Sequence, residues 1–115
     1  ENLMRIDSLD MTDDDRETIL QAAMIAPETQ IVITHGTGTM EQTAQFLDGK
    51  IGNRTVVLTG SMRPFSLGKS DAGFNIGGAV IAAQTLPGGV YGVMNGRVFT
   101  AVTLKKDVNA GRFDA

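Results

Sequence analysis

The residues that could do chemistry in this chain begin with His35-Gly36-Thr37-Gly38-Thr39, where hydroxyls alternate with glycines directly after the apolar run "IVIT". A threonine hydroxyl attacks a carbonyl only when a base or a desolvated amine draws off its proton. Lys105 and Lys106, in the polar tail near the end of the chain, read from the pattern as solvated charges. His35 is the only histidine, and in a tight turn it reads more readily as a hydrogen-bonded structural residue than as a base. Glycine and threonine are also ordinary turn and cap residues, so pattern alone leaves open whether Thr37 turns the chain or reacts.

Known phosphate-binding patterns do not fit. Position 41 is glutamate, which breaks the dinucleotide pattern G-x-G-x-x-G, and no Gly-Lys-Ser/Thr follows as in a P-loop. With no cysteine and a single histidine, thiolate and polyhistidine metal sites are excluded, and no cofactor is expected. The net charge is −3 and no basic stripe occurs, so nucleic acid is not an expected partner. No run of about eighteen apolar residues is present, so no membrane span is expected.

The elements that must position these residues can be read from periodicity and caps. "TDDDRETILQAAMIAP" predicts a helix capped by Thr12 and Asp15, with Ile19, Leu20, Ala23 and Met24 on one face and Pro27 as its stop. Gln30 to Thr34 reads as a strand covered on both faces. A second helix follows, with Thr39 and Gln42 as a capping box, Met40, Ala44 and Leu47 on one side, and Gly49 as its stop. Thr55 to Thr59 is a second buried strand, and "SMRPFSLGKSDAG" is a loop. "FNIGGAVIAAQTL" predicts a third helix whose Gly77 and Gly78 permit close packing on a sheet. "GVYGVMN" is a third strand, with a short fourth across an Asn95-Gly96 turn, and the polar tail reads as irregular or a single helical turn.

Strands alternating with helices predict an α/β fold in three layers, a parallel sheet between helices of Rossmann or flavodoxin-like type. In such sheets ligands bind beyond the carboxyl ends of the strands. The loops "HGTGT" and "GSMRP" and the tail after the last strand lie there. A threonine leaving a strand just ahead of a helix would sit beside unpaired N–H groups and a positive dipole end, which favour a carboxylate or a developing oxyanion.

At these residues the sequence resembles the asparaginase family, amidohydrolases that convert asparagine to aspartate and ammonia. "VITHGTGTMEQTAQFL" is similar to the family's second signature, usually written with HGTDT, and "VVLTGSMRP" with "SDAGFN" to its next loop and helix. "DSLDMTD" resembles the loop of the substrate-binding serine, and "GVMNGRVFTAVTLKKDVNAGRF" the segment of the catalytic lysine. The resemblance is strongest to small bacterial asparaginase-like proteins without a second domain. It implies a single domain of N-terminal type over residues 1–115, lacking the family's first strand and its T-G-G-T-I nucleophile loop. Thr37 would be one of two catalytic threonines, and Lys106 the lysine that polarises its hydroxyl. Ser8 would hold the substrate's α-carboxylate, while Ser61 and Met62 would lie beside the reacting amide.

Two departures shape the expectation. Gly38 stands where the family carries an aspartate that binds the α-amino group, a charged contact worth about 1.5–3 kcal/mol. Leu9 replaces a glutamine found in many members. The reading is therefore an amidohydrolase for asparagine or a related small amide. A catalytically impaired module binding a small acidic amino acid is the first alternative, and a phosphate- or nucleotide-binding α/β domain the second. Self-association as a homo-oligomer and, absent an export signal, a cytoplasmic location complete the expectation.

Overall fold

The computed structural model describes residues 12–60, 72–103, 105–107 and 112–114, with Ala72 and the two short C-terminal stretches described by backbone alone. The frame is set by β2 (Thr55–Thr59), the sequence Thr-Val-Val-Leu-Thr, in which all five residues are buried. β-Branched residues suit a strand covered on both faces. On one side β2 pairs in parallel with β1 (Gln30–Thr34), Ile31 opposite Val56 and Ile33 opposite Leu58. On the other it pairs in parallel with β3 (Gly89–Met94), Val56 opposite Val90. β4 (Arg97–Thr100) returns antiparallel to β3 across Asn95 and Gly96. Both turn residues have positive φ, 55° and 75°, as a two-residue hairpin of the I′ type requires. The order is β1-β2-β3-β4, so the expected three-layer α/β architecture holds, with an antiparallel edge strand added to its parallel strands.

Alternation along the strands sends side chains into two cores. Val56 and Leu58 of β2, Val90 and Met94 of β3 and Phe99 of β4 face α1 (Asp13–Ile25) and α2 (Met40–Leu47), meeting Ile19, Leu20, Met40, Ala44 and Leu47. Val57 and Val93 point the other way, onto Ala79, Ala82 and Ala83 of α3 (Ala72–Thr85). Fully burying a side chain such as Leu47 or Met40 contributes about 1.5–3 kcal/mol, so the α2 face anchors the loop that precedes it.

α1 begins with the expected capping box: Asp15 N–H donates to Thr12 Oγ1 at 3.3 Å, and Thr12 N–H to Asp15 Oδ2 at 2.9 Å. It ends at Ala26, whose extended backbone (φ −65°, ψ 137°) is what a residue before proline adopts. No helix among the described residues is long and apolar enough to cross a membrane.

Several expectations are corrected. The buried stripe of α1 is Arg16, Ile19, Leu20 and Ala23, which leaves Met24 exposed at its rim with its carbonyl accepting from Arg54 Nη2 at 2.8 Å. Thr39 makes no side-chain cap on α2, because it closes a 3-10 turn (Thr37–Thr39) and its backbone (φ −130°, ψ 25°) lies outside the extended region a capping residue uses. Gly78 approaches the sheet so closely that a Cβ would stand 3.1 Å from Val93 Cγ1, whereas a Cβ on Gly77 would meet nothing within 4 Å. Among the described residues of the tail, expected to be irregular or a single helical turn, β5 (Lys105–Asp107) pairs antiparallel with β6 (Arg112–Asp114). Register places Lys105 opposite Asp114, Lys106 opposite Phe113 and Asp107 opposite Arg112, so oppositely charged residue types pair at both ends of the ladder. Of the loop expected from Ser61 to Gly73, residues 61–71 lie outside the described residues, and Ala72 and Gly73 instead open α3.

Candidate active site

Thr34, Thr59 and Met94 end the three parallel strands at the same side of the sheet, and the chain beyond each is fastened to its neighbour. His35 N–H continues the β1–β2 ladder by donating to Thr59 O at 2.8 Å. Thr59 Oγ1, fully buried, donates to Val93 O at 2.7 Å and ties the end of β2 to β3. Asn75, fully buried on α3, donates through Nδ2 to Gly60 O at 2.9 Å and accepts from Asn95 N–H at 2.9 Å. One side chain thus joins the loops that follow β2 and β3. Gly60 passes so near β1 that a Cβ there would overlap the carbonyl oxygen of His35.

Thr37 is half-buried and is the third residue beyond β1. Gly36 before it is extended (φ −63°, ψ 143°), and Thr37 opens the 3-10 turn that leads into α2. The turn displaces the α-helix start to Met40, and Glu41 in the first turn of α2 itself meets the positive dipole end. Thr37 is therefore presented at the carboxyl end of the sheet by a turn, three residues ahead of the helix proper.

Beneath this turn lies a buried polar chain. His35 Nε2 is 2.8 Å from Thr43 Oγ1 on α2, and Arg16 Nε on α1 donates to the same hydroxyl at 3.0 Å. Arg16 also holds Asp13 at 3.0 Å in an ion pair whose carboxylate end is exposed. His35 Nδ1 meets the carbonyl of Gly36. The pKa of His35 is lowered, chiefly by desolvation, which outweighs the raising effect of the hydrogen bond to Gly36, while the positive charge of Arg16 lowers it a little more. A neutral His35 with both ring nitrogens hydrogen-bonded inward is a structural residue of the turn.

The other expected site residues stand as follows. Lys106 lies in β5, its backbone opposite Phe113 of β6. Ser8, Ser61 and Met62 lie outside the described residues, as does the Lys106 side chain. The residues that sequence reasoning missed are the polar ones behind the loops: Arg16, Thr43, Thr59 and Asn75. Asn75 left a trace, since it shares an i, i+4, i+7, i+8 face with Ala79, Ala82 and Ala83 as the one polar member.

Comparison with known proteins agrees with this architecture. The family model described as Asparaginase, N-terminal matches residues 1–115. A glutaminase-asparaginase of Acinetobacter glutaminasificans is 40% identical over 83 residues, covering 69% of this chain and 25% of its own. A probable L-asparaginase periplasmic of Haemophilus influenzae is 37% identical over 112 residues, 92% of this chain and 32% of the relative. L-asparaginase 2 of Escherichia coli is 40% identical over 94 residues, 70% and 27%. The chain thus spans a third or less of the length of these relatives. A match over the whole chain, on an α/β sheet that carries the HGTGT turn at its carboxyl end, shows that it belongs to the asparaginase family through that family's N-terminal domain.

Proposed function

We propose that the protein hydrolyses the side-chain amide of asparagine or a related small amide to a carboxylate and ammonia, with residues 1–115 acting as one asparaginase-type domain. Thr37 Oγ attacks the amide carbon while its proton passes to a neutral Lys106 Nζ. The C–N bond then breaks, the amine leaves with that proton as ammonia, and water hydrolyses the acyl-threonine ester to restore the hydroxyl. Ser8 holds the substrate's α-carboxylate, and the backbone at Ser61 and Met62 faces the carbonyl oxygen as charge develops on it.

The observation that carries this reading is the presentation of Thr37. It is half-buried on a 3-10 turn at the carboxyl end of β1, beside two further loops that Asn75 fastens together. The crevice beyond the carboxyl ends of parallel strands is where an open α/β sheet takes its ligands. Ammonia release from asparagine, glutamine and related small amides by the purified protein tests it. Turnover of one of them is expected, and silence across the set would end the enzymatic reading.

A second reading has its own support. Gly38 is exposed immediately after Thr37, where family members carry a carboxylate for the α-amino group. Binding of aspartate without turnover, seen as thermal stabilisation by the ligand, is the outcome that favours a binding module. Self-association belongs to the first reading and is supported by Phe74 and Ile81 on α3, 68% and 62% exposed. Light scattering at micromolar concentration reads it directly.

A further inference from the structure

The chain Arg16–Thr43–His35 has a direction that its donors and acceptors dictate. A carbonyl only accepts, so the nitrogen of His35 that meets Gly36 O, Nδ1, carries the ring proton. In the neutral ring Nε2 is then an acceptor, and the Thr43 hydroxyl donates to it at 2.8 Å. The same hydroxyl accepts Arg16 Nε–H, a donor that cannot be reversed, on a lone pair at 3.0 Å, which leaves its own proton directed at Nε2. The whole sequence runs one way: Arg16 Nε–H to Thr43 Oγ1, Thr43 O–H to His35 Nε2, His35 Nδ1–H to Gly36 O.

Its end point is the peptide that precedes Thr37. The Gly36–Thr37 peptide is planar and trans, as every peptide bond of the described residues is, so its N–H points opposite to its C=O. Holding Gly36 O against the imidazole therefore turns Thr37 N–H away from the buried ring and fixes the plane from which the Thr37 side chain departs. All three members are buried, Arg16 and His35 to within 7% and 8% of full burial and Thr43 completely, and they come from α1, α2 and the end of β1. Three elements converge on the orientation of one peptide.

We propose that Arg16 and Thr43 are positioning residues, which hold His35 as the Nδ1–H tautomer and through it set the backbone that presents Thr37. The functional half rests on the amide-hydrolysis reading above; the structural half does not. Neither residue touches substrate in this account. Their effect is on how the nucleophile is held, so their loss lowers kcat and leaves KM nearly unchanged.

His35 is the only histidine in the chain, so the imidazole nitrogen signals of the 15N-labelled protein report it without assignment. At pH 7.5 the wild type is expected to show a protonated Nδ1 and an unprotonated Nε2. Thr43→Val, nearly isosteric, removes the donor to Nε2: a mixture of tautomers and a roughly tenfold fall in kcat are expected, the size of one orienting hydrogen bond. Thr43→Ser keeps the hydroxyl and is expected to restore both. A wild-type ring protonated on Nε2, or a Thr43→Val protein with the Nδ1–H tautomer and full turnover, overturns the proposal. The wild-type spectrum and Thr43→Ser decide the tautomer even where Thr43→Val fails to fold. Silence of the wild type on every amide would defeat the proposed function while the spectra still decide the tautomer.

Discussion

Asn75 and Gly60 are joined by a hydrogen bond of 2.9 Å that crosses from the middle layer of the fold to α3, and the same carboxamide accepts from Asn95 at 2.9 Å. A fully buried amide that satisfies one donor and one acceptor on two different loops is expensive to remove. Asn75→Ala is expected to cost about 2–3 kcal/mol, since it orphans Gly60 O and Asn95 N–H and leaves a void. Asn75→Asp keeps the shape and the acceptor but sets a carboxylate oxygen against a carbonyl, and is expected to be destabilising too. Urea unfolding of the two variants measures both effects.

Gly60 and Gly77 should respond with opposite signs. A methyl at Gly60 would overlap His35 O, and His35 is tied to β2 through its own N–H, which donates to Thr59 O, so Gly60→Ala is expected to cost about 2 kcal/mol or more. Gly77 lies in α3 with open space around its Cα, and Gly77→Ala is expected to stabilise by about 0.5–1 kcal/mol through helix propensity. Paired melting curves give the comparison.

Much of this frame was legible in the chain before any coordinates. Thr12 with Asp15, Asn95-Gly96 and the continuous β-branched runs are local signals that produced their elements. β1, however, expected to be covered on both faces, has Gln30 and Thr34 exposed and its middle only half-buried. The position of Thr37 at the end of β1 followed from the same local logic. The supporting polar residues did not, because a buried Arg16 or Thr43 is stable only with partners far away in sequence, 27 residues apart in that case. Nothing in "DDDRET" separates Arg16 from a solvated arginine. Pairing of β5 with β6 was hidden too, since Lys-Lys-Asp and Arg-Phe-Asp lack the apolar alternation that announces a strand. Thr39 shows the converse, a sequence signature of a cap overridden by a 3-10 turn.

His35 links stability to pH with a definite sign. Its folded pKa lies below the ordinary value of 6.5 that the unfolded chain would show, chiefly through burial, which outweighs the raising effect of the hydrogen bond to Gly36, with the charge of Arg16 adding a smaller lowering. The unfolded state therefore binds the proton first as pH falls. The stability contributed by neutral His35 is complete above the unfolded pKa and declines as pH drops below it, levelling once the folded pKa is passed. Urea midpoints measured between about pH 7.5 and 5, above the carboxylate range, are expected to fall on acidification, and a His35→Gln protein is expected to show a flatter profile.

Gly38 offers a gain-of-function test. Gly38→Asp returns a carboxylate beside Thr37, and a charged contact of about 1.5–3 kcal/mol corresponds to roughly a 10- to 150-fold rise in kcat/KM for asparagine. Steady-state ammonia release with asparagine and with a substrate lacking the α-amino group separates recovered recognition from a general change. The rise is expected for asparagine alone.

The most direct test is ammonia release by wild-type protein and by Thr37→Ala, compared on the best amide substrate with both proteins shown to be folded. Turnover by the wild type is expected, and its loss by about a thousandfold or more when the hydroxyl is removed. Equal turnover by the two proteins would contradict it, because the amide would then be cleaved without Thr37.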